Sequence, residues 1–224
     1  GHGAGGFVLD VNAVNTAQIV AAAAGGAGSV AAGKSNKTTG GNSTAVSVAG
    51  AVSINLISGQ TSAVFQDGSL LFSPDLAAVG DVRVRAEDRS GIIAIGGGLS
   101  LSVAAGETGS STAVSAGAAI AVNLITTSAT ALIEDSTLSW ATVASGDLAV
   151  EATSDRTIGA YTLAGAVSVA SGTQGRGVAG AGAASGSVNQ IEGDTTATVR
   201  RSTATVPGTV LVEATDESGI SSAA

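Results

Sequence analysis

The side chains from which a reaction centre could be assembled are few. His2 is the single histidine and the chain has no cysteine, so a Ser-His-Asp triad, a histidine base, a two-histidine metal site and a thiolate site are all out of reach. For acid–base work there remain two carboxylate pairs, Glu87-Asp88 and Glu134-Asp135. Neighbouring strand residues point to opposite faces, so neither pair converges on one pocket and both are expected at solvated edges. The glycine runs Gly25-Gly26-Ala27-Gly28 and Gly96-Gly97-Gly98 could suggest a phosphate cradle. No Lys-Ser/Thr pair and no helical pattern follows them, and they read as close backbone packing. Gly80-Asp81 and Gly146-Asp147 have the look of calcium-binding repeats, but the nonapeptide pattern is missing and the third copy carries Gly208-Thr209. They read as turn signals. The sequence therefore nominates no catalytic, cofactor-binding or metal-ligating residue, and no cofactor.

The residues that do recur specify an architecture. Thr44 to Asp67 returns as Thr112 to Asp135 and, more weakly, as Gly177 to Arg201. Asn55, Asn123 and Asn189 lie 68 and 66 positions apart, and Ala152 and Ala214 lie 62 apart. One array of repeats of about 62–68 residues spans 1–224, with a partial copy at 1–43, full copies at 44–111 and 112–176, and a partial copy at 177–224. Because the chain starts and stops inside a repeat, it reads as a segment of a much longer protein, with Gly1-His2 a cloning remnant. Severed ends would expose strand edges, so end-to-end self-association is expected.

Composition fits such an array. Hydrophobic residues make up 44% but aromatics only 2%, with 33 Gly, so the interior must be tiled from small and β-branched side chains. In each repeat a long run alternates with period two: Val46, Val48, Val52, Ile54 and Leu56 on one face, Ala45, Ser47, Ala49, Ala51 and Ser53 on the other. That is a strand of about 40 Å whose small-residue face can pack closely on another sheet. A second alternating run, Ile93 to Val103, precedes the next copy across Gly106-Glu107-Thr108-Gly109-Ser110-Ser111, and the two runs predict a long β-hairpin. The pattern recurs around Ser171 to Arg176, and earlier around the loop that holds Lys34 and Lys37. Shorter strands complete each unit, at Ala63 to Phe65 and Val82 to Ala86 and their counterparts. The expected fold class is all-β, a repeat-built parallel β-solenoid of short strands with the long hairpins stacked beside it. A close variant has hairpins stacked face on face and no closed coil.

Charge supports the same view. Nine Lys plus Arg against 17 Asp plus Glu give −8, which argues against a nucleic-acid backbone or an anionic membrane surface as partner. Aligned by repeat, Gln66, Glu134 and Arg200 share one position and Asp67, Asp135 and Arg201 the next. In-register stacking turns these into exposed contacts between repeats, as it does Arg85 with Glu151, and makes an amide ladder of the three asparagines. No run of 18 apolar residues can form a spanning helix, and a transmembrane barrel would need the aromatic girdles that are missing.

The recurring stretch AVSAGAAIAVNLITTSATALIEDSTL followed by GDLAVEATSDRTIGAYTLAGAVSVASG resembles the repeat regions of very large bacterial surface proteins. These include filamentous-haemagglutinin-like adhesins and the giant surface proteins of some green sulfur bacteria. The resemblance implies a secreted, cell-surface β-solenoid stalk that supports adhesion or cell-to-cell contact. Its main partners are neighbouring repeats of the same chain, with no membrane insertion. The competing reading is a module that binds a glycan or another cell surface through the variable loops Lys34 to Asn42 and Leu71 to Gly80. A solenoid carbohydrate-active enzyme ranks below both, because no groove-lining cluster of carboxylates and basic residues is present.

Overall fold

The computed structural model describes residues 7–34, 41–72, 80–140 and 146–224. His2, Lys37, Pro74 and much of the two variable loops lie outside that set. The described residues are all-β: no helix is present, and none is long and apolar enough to cross a membrane.

In chain order the strands are β1 (Phe7–Asn15), β2 (Gln18–Gly33), β3 (Ser43–Gln66) and β4 (Ser69–Leu71), then β5 (Asp81–Asp88), β6 (Gly91–Gly106), β7 (Ser111–Glu134) and β8 (Thr137–Ser139). They continue with β9 (Leu148–Ser154), β10 (Thr157–Gly172), β11 (Gly177–Glu192), β12 (Thr195–Arg200) and β13 (Thr203–Thr205), and end with β14 (Val210–Asp216) and β15 (Gly219–Ala223). Every pairing is parallel, and each strand pairs with its counterpart one repeat away. The first sheet is β1-β5-β9-β14 and the second β2-β6-β10-β15. In the third, β7 lies between β3 on one side and β11 followed by β12 on the other; the fourth is β4-β8-β13. Register is unbroken over all of β3 and β7, from Ser43↔Ser111 to Gln66↔Glu134.

The expected hairpins are not formed. β6 and β7, like β2 with β3 and β10 with β11, belong to different sheets and lie face to face, joined by side-chain contact instead of a hydrogen-bond ladder. The cause is the small-residue face of each run. Alanine, serine and glycine let the two backbones approach until a Cβ built on Gly98 would lie 2.9 Å from the Ala118 carbonyl carbon. With that approach available, each strand takes its hydrogen bonds from the next repeat, where every row offers a matching side chain.

The result is a thin two-layer arm with inverted polarity. Inside lie Ala45, Ala104 and Ala113 and a zipper of hydroxyls: Ser47 Oγ meets Ser100 Oγ at 2.6 Å and Ser102 Oγ at 2.9 Å, and Ser115 Oγ meets Ser168 Oγ at 2.8 Å. Outside, the large aliphatics face solvent, Ile54 at 74% and Val48 at 70% exposure. The ordinary aliphatic core sits beyond the arm, where the first sheet, the far end of the third and the fourth enclose Val82, Val84, Ile133, Leu138, Leu148 and Val150. Trp140 closes that core, stacked on Phe72 at 4.7 Å and donating Nε1–H to the Gly80 carbonyl at 2.7 Å.

Candidate functional site

The carboxylates that sequence reasoning placed at solvated edges are mostly buried, and every one is engaged by another repeat or by a neighbouring cation. Asp88 ends β5 fully buried. Its Oδ1 accepts from Asn15 Nδ2 at 2.8 Å and Ser90 Oγ at 2.6 Å, and its Oδ2 accepts from Thr127 Oγ1. Glu87, also buried, is held by Arg85 at 3.0 Å and by Arg89. Both side chains are buried because the strand turns a corner there, so solvent reaches neither face of its last residues. With their oxygens directed at internal donors and cations, the Glu87-Asp88 pair is shaped to hold a corner.

One repeat on, the same corner contains Arg156, which composition gave no reason to place inside. It is 1% exposed. Nη1 donates to the carbonyls of Thr127 at 2.7 Å and Glu192 at 3.3 Å, Nε donates to Ser218 Oγ at 3.0 Å, and Nη2 meets the Asp216 carboxylate. From the turn between β9 and β10 the guanidinium thereby ties β7, β11 and β14 together. The only signal available in the sequence was the pair of aligned rows, Asn15, Asp88, Ser154 and Asp216 beside Ala17, Ser90, Arg156 and Ser218. Partial burial alone would push the Asp216 carboxyl up. The hydroxyl and amide of Ser218, then the Arg156 charge, outweigh that and hold it below its ordinary value. A depressed folded pKa contributes stability that is present above the unfolded value and lost as pH falls through the folded one. Acid melts should therefore show a steeper loss of Tm for the native chain than for Asp216→Asn, measured by circular dichroism across the carboxylate range.

The repeat-aligned rows form as contacts. Asn55 Nδ2 donates to Asn123 Oδ1 at 2.7 Å, and Asn123 Nδ2 to Asn189 Oδ1 at 2.7 Å. Arg200 reaches Glu134 Oε2 at 2.8 Å, and Arg201 bridges Glu134 and grips Asp135 at 2.7 and 3.0 Å. Glu134 is 5% exposed, so this cluster is half-buried rather than exposed. The Arg85–Glu151 contact does not form, although the two are register partners. Arg85 turns along its own strand to Glu87, and Glu151 instead faces Arg83 Nε at 3.5 Å. Reversing Glu134 and Asp135 to Arg should lower stability by about 1–2 kcal/mol, partly restored by Arg200→Glu with Arg201→Glu. Strictly additive melting temperatures would refute direct contact.

The Gly-Asp turns also act between repeats. Asp81 Oδ1 accepts the Asp147 N–H at 3.0 Å, and Asp147 Oδ1 the Thr209 N–H at 2.6 Å. Among the described residues no group of three or more His, Cys, Asp or Glu side chains comes together. Two concavities stand out, of about 410 Å³ beside Arg156, Gly193 and Asp216 and about 500 Å³ beside Asn15, Gly59 and Thr61. They are the same corner of the repeat seen at its two ends; in between, Asp88, Ser90, Thr127 and Arg156 fill it. No family model, curated protein or solved structure matches the chain.

Proposed function

We propose that this chain is a parallel β-solenoid segment that serves as a stalk or spacer in a large secreted bacterial surface protein, supporting adhesion or cell-to-cell contact. The observation that carries this reading is the continuity of contacts from repeat to repeat: strand register, asparagine ladder, arginine–carboxylate cluster and aspartate turn caps all run along one direction. A substrate groove needs polar side chains whose hydrogen bonds are left open for a ligand. Here the asparagine ladder, the arginine–carboxylate cluster and the aspartate turns spend theirs on the next repeat, which fits a role in setting length and stiffness, with recognition in other parts of a parent protein.

The reading is tested by length. Chains with two, four and eight internal repeats, examined by small-angle scattering, should lengthen by about 4.8 Å per repeat at constant cross-section. A cross-section that swells with repeat number would refute a stalk. Binding of the 224-residue chain to a glycan array would favour the loop-based module over the spacer.

A further inference from the structure

The outward face of the third sheet is an apolar surface with no partner among the described residues. From residue 44 to 56, and at the rows paired with it on β7 and β11, no outward position carries a charge. Three strands of this length make a plane of roughly 14 by 43 Å, or about 600 Å². That is at the upper limit of the largest apolar patch on a typical monomer and close to the area each partner contributes to a stable interface.

The face is not uniform. Its β3 side is a ridge, with Val48 70%, Val52 63% and Ile54 74% exposed. Its β11 side is a trough, where Cβ atoms added to Gly180, Gly182 and Gly186 would meet nothing within 4 Å. Ridge and trough share rows: Val46 with Gly180, Val48 with Gly182, Val52 with Gly186. We propose that this face is a lateral interface between two copies of the chain, related by a two-fold axis running along the strands. That operation leaves each row facing itself and exchanges β3 with β11, so each copy's valine ridge lies over the other's glycine trough. On the middle strand the small Ala116 and Ala118 lie between Val114 and Ile120, 43% and 48% exposed, which meet their own copies across the axis. Sheets stacked this way pack near-aligned, and two surfaces with the same strand spacing of about 4.8 Å mesh as surfaces of different period do not. The outer face of the second sheet fits the operation less well, because Ile93, Ile95, Leu99 and Leu101 form a ridge along its middle strand. Lipid is a poorer covering, since open sheet edges cannot be satisfied in hydrocarbon.

Sedimentation equilibrium of the 224-residue chain decides it. A dimer of twice 21.1 kDa is expected. Val48→Lys and Gly182→Glu should each weaken it more than about 10-fold by burying an unpaired charge. Both positions face open space in the single chain, so each variant should keep the native circular-dichroism spectrum, its melting temperature falling only by what association contributes. Combining the two substitutions places the introduced ammonium of each copy over the introduced carboxylate of the other and should restore dimerisation. The proposal is overturned by a chain that stays monomeric at all concentrations, by association indifferent to Val48→Lys but abolished by Leu101→Lys, by a double variant as weak as the singles, or by monomers taken up on phosphatidylcholine vesicles.

Discussion

Alanine at Gly98 will cost the fold about 2–4 kcal/mol, whereas alanine at Gly97, one residue earlier, will be neutral or stabilise slightly. The two glycines are adjacent in β6 and differ only in the face they present. Gly97 points outward, and an added Cβ meets nothing within 4 Å. Gly98 points into the arm, where a Cβ would overlap the Ala118 carbonyl of the opposing layer and lie 3.1 Å from its backbone nitrogen. No side chain can swing aside to relieve that contact, because the obstacle is backbone held in register on both sides, Gly50↔Ala118 and Ala184↔Ala118. The layers must separate, and the serine zipper that spans the same gap, Ser47 to Ser100 and Ser102, separates with them. Gly25 with Gly26 repeats the contrast on β2: the first would meet the Gly50 carbonyl carbon at 2.7 Å and the second meets nothing. Urea unfolding of the four alanine variants measures it. Equal costs at Gly97 and Gly98 would mean that the close approach of the two layers does not exist.

Much of this was legible in the sequence because repetition exposes what a single copy hides. The period of Asn55, Asn123 and Asn189, the alternation of Ala45 to Leu56, and the change of sign from Glu134-Asp135 to Arg200-Arg201 required only alignment of the chain with itself, and each corresponds to a contact in the fold. The hairpins were misread because a Gly-bearing link between two alternating runs is compatible with two geometries. The runs can pair edge to edge through backbone hydrogen bonds or face each other through side chains. Periodicity is blind to the difference; Gly98 against Ala118 decides it. Asp88 and Arg156 were missed for another reason. Charged residues are rarely buried alone, so sequence rules place them at the surface. Their burial depends on partners far along the chain: Thr127 donates its hydroxyl to Asp88 and accepts from Arg156 at its carbonyl. Neither contact has a local signature. A single row of alternating residues also cannot tell which face is inside, and here the small residues are inside and the aliphatics outside, against the usual order.

Removing the middle rung of the asparagine ladder will destabilise the chain by about 2–3 kcal/mol, and removing an end rung by about 1 kcal/mol. Asn123 is 1% exposed and uses both ends of its amide: Oδ1 receives Asn55 and Nδ2 serves Asn189, each at 2.7 Å. Asn123→Ala therefore leaves a donor on one side and an acceptor on the other without their partner, in a space water reaches poorly. Asn55→Ala orphans a single acceptor, Asn123 Oδ1. The end amides keep local bonds when Asn123 is removed, Asn55 Nδ2 to Ser53 Oγ at 3.0 Å and Asn189 Nδ2 to Ser187 Oγ at 3.1 Å, and these hold the cost of the middle rung to a few kcal/mol. The two costs should not add. Once Asn123 is gone, Asn55 has no ladder partner left to lose, so Asn55→Ala in that background should cost less than it does alone. Replacing all three by alanine removes every orphan and should cost less than the sum of the single variants, at the expense of the contact that fixes one repeat on the next. Chemical denaturation of the single, double and triple variants provides the cycle. Additive costs, or equal costs at the middle and the end, would show that the amides act as separate buried side chains and that register is set by the strands alone.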